Sequence, residues 1–204
     1  DGIRILEPER TDDFDLFLPM VEEHPKFADL TSVEKRELIL DRHNFAALML
    51  HSRRADGLLA GATMRTSSGL RSLFRMLPLR DTVKSASSLL ILDQENPNYG
   101  MDGVLFLADC GVIPEPTAEQ LSDIAITTAS TAYHLTNETP RVAFLSYATK
   151  ARRPTHDSIH KIREAAELAR SRSRDLPFEI LIDGELQLDA ALSPTVAEQK
   201  GVSD

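Results

Sequence analysis

Two short stretches combine residue types that can hold an anion. The first is Gly61-Ala62-Thr63-Met64-Arg65-Thr66-Ser67-Ser68-Gly69-Leu70-Arg71. Its small residues let a ligand approach the backbone. The hydroxyls of Thr66, Ser67 and Ser68, with the N–H groups of a helix start, suit phosphate oxygens. Arg71 can offer a bidentate guanidinium fork to the same group. The letters also read as a helix N-cap followed by a solvated arginine. The second stretch is Leu145-Ser146-Tyr147-Ala148-Thr149-Lys150, followed by Ala151-Arg152-Arg153. Ser146, Thr149 and Lys150 just before a helix form a candidate anion cradle, and this is the tightest basic cluster in the chain. The alternative is a surface loop with solvated charges.

Other groups carry weaker signals. In Ala108-Asp109-Cys110-Gly111 the aspartate can collect backbone N–H groups in a tight turn or face a crevice, and a buried, inert thiol is the expected fate of Cys110. The carboxylates of Asp183, Glu185 and Asp189 could bind a metal or pair as acid and base. A structural role at a helix start is the expectation. His156 and His160 are four apart with no third ligand, so no metal site is expected. There is no Walker loop, no dinucleotide-binding GxGxxG and no G-x-S-x-G elbow, which argues against nucleotide hydrolase, dehydrogenase and esterase chemistry.

These groups fall at the ends of short apolar runs alternating with helical periodicity, the pattern of an α/β protein. Strands are expected at 3–6, 58–60, 104–108, 142–145 and 180–182. Thr31 with Glu34 and Thr117 with Gln120 read as capping boxes. The first should open a helix reaching about Arg53, with Leu38, Phe45, Leu48 and Met49 buried. Further helices are expected over 70–76, behind Thr117, from Asp157 or Ser158 to about Arg172, and from Pro194. Residues 83–92, a serine-rich stretch turning into an apolar run at 89–92, form a candidate crossover between two subdomains, and 93–103 a loop or hairpin turn. Parallel pairing with right-handed crossovers would place ligands beyond the carboxyl ends of the strands.

The 204 residues suffice for one large domain or two small ones without disulfides or metals for stability. A net charge of −9 argues against general polyanion binding, so no nucleic-acid partner is expected. The single cysteine fits a reducing cytoplasm. No membrane-spanning run or signal peptide is visible. Because the first residue is Asp, a processed form, fragment or trimmed sequence is expected.

Four stretches in this order resemble the phosphate acetyl/butyryl transferase family: 55–62 (ADGLLAGA), 106–120 (FLADCGVIPEPTAEQ), 141–150 (RVAFLSYATK) and 182–191 (IDGELQLDAA). The resemblance implies a three-layer α/β/α fold with mostly parallel sheets, of the isocitrate-dehydrogenase-like type, in two subdomains with a cleft between them. Residues 1–86 would be part of the first subdomain. Residues 87–204 would be the second, truncated at its C-terminal end. The implied reaction interconverts acetyl-CoA plus phosphate with acetyl phosphate plus CoA through a ternary complex. Coenzyme A serves as substrate, without metal or redox cofactor, in a cytoplasmic homodimer. Arg71 looks like the family's substrate arginine, and Thr66, Ser67 and Ser68 fall where the family has hydroxyl and acidic residues. Ser146, Thr149 and Lys150 match the family's S-x-S-T-K turn, departing at Ala148 and again at Ala151-Arg152. A second family arginine is expected within 18–24, which instead holds Glu22 and Glu23. The family's catalytic Ser, Arg and Asp cluster is expected beyond Asp204, so no catalytic residue is assigned here. Other members of the resemblance are a phosphate butyryltransferase and a non-catalytic acetyl-CoA-binding regulatory domain of malic enzyme.

Overall fold

Hydroxyl or carboxylate side chains cap four of the eight α-helices among the described residues. The computed structural model describes residues 2–79, 83–150 and 156–202. The chain divides into two compact units, Asp1–Pro78 and Leu79–Asp204, the division coming ahead of the boundary expected after Ala86.

The first unit contains α1 (Asp13–Glu22), α2 (Ser32–Leu40), α3 (Arg42–His51) and α4 (Thr66–Met76). Thr31 and Glu34 form the expected capping box at α2, each satisfying the other's backbone N–H. The single long helix expected from Thr31 is broken at Asp41. That residue leaves helical geometry, and its carboxylate takes the N–H groups of His43 and Asn44 at 3.0 Å each, so α3 starts anew. The core gathers Phe17 and Val21 of α1, Phe27 from the segment before α2, Leu38 and Ile39 of α2, Phe45, Ala47 and Leu48 of α3, and Met76 of α4. Phe17 and Phe45 meet edge to face at 5.1 Å. Asp13, also buried, is held by Arg54 at 2.6 Å.

The strands expected at 3–6 and 58–60 do not form. Neither segment joins a ladder, and Ile3 and Leu59 stand open to solvent. A short apolar run becomes a strand only when a neighbour takes its N–H and C=O groups. Among the described residues of this unit there is no such neighbour.

The second unit supplies the sheets of the α/β fold: β1 (Leu90–Asp93), β2 (Val104–Leu107), β3 (Arg141–Leu145) and β4 (Leu181–Leu186). β1 and β2 pair antiparallel, from Leu90 opposite Leu107 to Asp93 opposite Val104. Residues 90–93 are thus the first arm of a hairpin, and parallel pairing does not hold throughout. Gly103 closes the turn with φ of +93°, where a Cβ would lie 2.3 Å from the Gln94 carbonyl oxygen. β2 is half-buried rather than covered on both faces, and it stops at Leu107. β3 and β4 pair parallel, with a register shift between Phe144 and Leu145.

Two long helices, α5 (Ala118–Thr136) and α6 (Asp157–Ser173), accompany this parallel pair. The Thr117–Gln120 capping box opens α5 as expected. His156, not Asp157 or Ser158, caps α6 by accepting the Ser158 N–H. Ala118, Ala125, Ala165, Ala166 and Ala169 are buried with Phe144. These short side chains let the helices and sheet approach closely. Arg172 ties α6 to Asp123 on α5 at 2.5 Å. The chain continues through α7 (Leu188–Leu192) to α8 (Pro194–Gln199), capped by Ser193.

Candidate functional site

In the first unit, α4 begins at Thr66, so Thr66, Ser67 and Ser68 occupy its first turn instead of a preceding cap. Arg65 stands at the cap position and makes no side-chain cap bond. Helical spacing puts Ser68, Arg71, Ser72 and Arg75 on one face. With Asp41, His43 and Asn44 at the start of α3, they line a depression of about 220 Å³. Thr66 and Ser67 are exposed but do not line it. Asp41 is occupied by the two α3 N–H groups, and His43 Nδ1 lies 3.7 Å from it. Asn44 is braced by donating to the Leu38 carbonyl at 3.0 Å. Among the described residues Arg71 and Arg75 have no ion-pair partner. Two guanidiniums, two hydroxyls and one imidazole therefore face a small open space.

In the second unit, the turn after β3 is fastened to the end of β4. The Ser146 N–H donates to the Leu186 carbonyl at 2.8 Å, and the Lys150 N–H to the Glu185 carbonyl at 3.1 Å. Thr149 Oγ1 accepts the Gln187 N–H at 2.9 Å and donates to Gln187 Oε1 at 3.3 Å. Lys150 pairs with Asp183 and reaches the Gly184 carbonyl at 3.2 Å. Ser146, Thr149 and Lys150 are thus brought together. Arg152 and Arg153 lie outside the described residues.

Beside this turn, Lys150, Arg163, Glu167, Arg170, Gly184 and Glu185 line a space of about 380 Å³. Asp183 also receives Arg170 at 3.4 Å, while Arg170 holds Glu167 at 2.8 Å. Glu185 is fully buried and grips Arg163 in a fork: Nε to Oε2 at 2.6 Å and Nη2 to Oε1 at 2.9 Å. This bond raises Arg163 above the usual guanidinium range. Asp183 and Glu185 therefore lie inside a strand and do not start a helix, contrary to the sequence expectation. Asp189 does stand in the first turn of α7. Its hydrogen bond from Lys200, at 2.6 Å, holds its carboxyl below the ordinary value.

Asp109 takes the turn role. Its carboxylate accepts the N–H groups of Ser88, Gly111, Val112 and Ile113, the last at 2.6 Å, and the Ser88 hydroxyl. Burial pushes this carboxyl up, but the hydrogen bonds outweigh it and hold it well below the usual carboxylate range. Cys110 is exposed, not buried, because the bonded turn faces it outward, with Sγ 3.2 Å from the Leu107 carbonyl oxygen. Among the described residues no His, Cys, Asp and Glu group could hold a metal, and no helix is long and apolar enough to cross a membrane.

Sequence reasoning missed Ser72, Arg75 and His43, although Ser68/Ser72 and Arg71/Arg75 repeat at four-residue spacing. It also missed Arg163 and Arg170, whose partners lie 22 and 13 residues away, a separation that no local pattern reveals.

Comparison with known proteins agrees along the whole chain. A sequence model of the family described as "Phosphate acetyl/butaryl transferase" matches residues 1–203. A phosphate acetyltransferase of Thermoanaerobacterium thermosaccharolyticum is 38% identical over 196 residues, 96% of this chain and 58% of that protein. One from Treponema pallidum is 37% identical over 198 residues, again 96% of this chain and 58% of that protein. The solved phosphotransacetylase of Streptococcus pyogenes superimposes with a TM-score of 0.83 at 26% identity, covering all of this chain and 59% of that one. The chain thus spans a little under three-fifths of the length of these relatives.

Proposed function

The chain belongs to the phosphate acetyl/butyryl transferase family, and we propose on that premise that it holds substrate for transfer of an acetyl group between coenzyme A and phosphate. The observation that carries the reading is the depression where Arg71 and Arg75 stand beside Ser68 and Ser72 with no ion-pair partner among the described residues. An anion there meets two charges and two hydroxyl donors. Arg71 takes a phosphate oxygen pair of CoA or of the acetyl donor. Ser146, Thr149 and Lys150 form the second anion contact, and Thr66 and Ser67 border the first.

In the ternary complex the CoA thiolate attacks the acetyl carbonyl, a new C–S bond forms, and phosphate leaves with the electron pair of the broken C–O bond. The chain's own groups contribute positioning and charge stabilisation. No base is assigned to it. Coenzyme A is substrate rather than cofactor, and neither metal nor redox group enters this step. The protein acts in the cytoplasm as a homodimer, with small-molecule substrates and no nucleic-acid or membrane partner.

The test is formation of acetyl phosphate from acetyl-CoA and phosphate by the polypeptide that carries this chain. Arg71→Ala should raise KM for CoA or phosphate about tenfold, the loss of roughly one charge-assisted contact. An unchanged KM removes Arg71 from the site. Full turnover by these 204 residues alone would show that they already contain the base.

A further inference from the structure

We propose that the Arg163–Glu185 pair positions the 146–150 turn for substrate, both residues acting through the backbone. The inference rests on the reading of Ser146, Thr149 and Lys150 as substrate groups. Residues 185–187 form the platform for that turn. The Glu185 carbonyl takes the Lys150 N–H, the Leu186 carbonyl takes the Ser146 N–H, and the Gln187 N–H meets Thr149 Oγ1. Whatever fixes the placement of residue 185 therefore fixes all three substrate groups.

Two features hold residue 185. Gly184 brings the end of β4 so close to β3 that a Cβ there would lie 2.6 Å from the Cβ of Phe144. This close approach sets the separation of the two chains. The Glu185 side chain then sets orientation, because both its oxygens are gripped by Arg163 from α6, at 2.6 and 2.9 Å. A two-point charge-assisted contact is directional where a single one is not. Burial makes that contact obligatory, since Glu185 exposes none of its surface and an unpaired buried carboxylate is strongly disfavoured. Only Glu185 of the pair is buried, Arg163 being partly exposed, and the two-point contact fixes the orientation of the carboxylate. The geometry so fixed is that of the anion turn. α6 is itself held to α5 through Arg172 and Asp123, so the turn is referred to the helical layer.

The experiment follows hydrogen exchange of the Ser146 and Lys150 amides by NMR in the 204-residue chain, alongside KM and kcat in the acetyl phosphate assay of the polypeptide that carries it. The Gly111 and Ile113 amides, bonded to Asp109, serve as internal reference. The variants are Glu185→Gln, Arg163→Met, Arg163→Lys and the double Glu185→Gln/Arg163→Met. Each Gln or Met single variant should speed exchange at Ser146 and Lys150 about tenfold while the reference amides change less than about twofold. KM for phosphate should rise about fivefold with kcat within about twofold. Arg163→Lys should recover part of both effects, since it keeps the charge and loses the fork, and the double variant should fall short of the sum of its singles. Unchanged exchange at 146 and 150 overturns the proposal. So does uniform acceleration that includes Gly111 and Ile113, the mark of a merely structural pair. If Glu185→Gln does not fold, Arg163→Lys still decides by the same two amides. If the unmodified protein forms no acetyl phosphate, the function above fails, and the exchange result still judges the positioning.

Discussion

Replacing Asp109 with Asn tests a side chain that ties several backbone groups of the second unit together. Its carboxylate accepts four backbone N–H groups and the Ser88 hydroxyl. An asparagine keeps one acceptor oxygen and turns an NH2 donor toward N–H groups that are donors themselves. Two of the contacts are strong, those from Ile113 at 2.6 Å and from the Ser88 hydroxyl. Hydrogen bonds to a charged group contribute about 1.5–3 kcal/mol each, and the site is only part-buried, so water recovers some of the loss. The expected cost is about 3 kcal/mol, which lowers the melting temperature of a unit of this size by about 10 °C at pH 7. The pH dependence gives a second reading. The folded carboxyl is held well below its unfolded value, so its stabilisation is complete above pH ~4 and fades as pH falls toward the folded value. Asparagine does not titrate there. Calorimetry of both proteins between pH 7 and pH 2 should therefore show a gap that is constant down to about pH 4 and narrows below it. A gap under ~1 kcal/mol at pH 7, or one that widens on acidification, refutes the reasoning.

Phe17→Ala should cost the first unit about 3–5 kcal/mol, because it removes a fully buried ring and its edge contact with Phe45; a loss under about 1 kcal/mol by denaturant titration would show that this core collapses around the gap. Cys110 should react with a thiol reagent in the native protein, giving one equivalent without denaturant; a thiol that reacts only after unfolding would contradict its exposure.

What the letters made legible was local. The Thr31–Glu34 and Thr117–Gln120 boxes need only residues three apart, and both formed. Leu38, Phe45 and Leu48 lie buried as their spacing required, yet Asp41 between them breaks the helix, because a capping carboxylate outweighs continued periodicity there. Strand assignments succeeded or failed on partners. β3 and β4 exist because each finds the other 40 residues away, and 3–6 and 58–60 do not because among the described residues nothing pairs with them. An apolar run cannot announce that difference. The candidate site divided the same way. Ser146, Thr149 and Lys150 were legible as one turn. The Arg163 fork that fixes the platform under it was not, since Glu185 could be judged only by its distant partner.

The two candidate depressions differ in how their charge is balanced. Among the described residues lining the space beside the 146–150 turn, each basic group has an acid: Lys150 and Arg170 share Asp183, Arg170 also holds Glu167, and Arg163 holds Glu185. An incoming phosphate must draw Lys150 away from Asp183, an exchange that Arg170 eases by keeping its own hold on the abandoned carboxylate. Around α4, Asp41 is the one acid among the lining residues. Its Oδ1 takes two N–H groups, and among the described residues Arg71 and Arg75 have no ion-pair partner. The chain as a whole is acidic, at −9, so its distant field repels an anion, but that field is screened beyond about 8–10 Å at ordinary salt. Attraction therefore has to be local, and it is strongest where guanidiniums stand without carboxylates. Under the proposed function, a group that takes the Lys150 ammonium must replace the contact that Asp183 supplies.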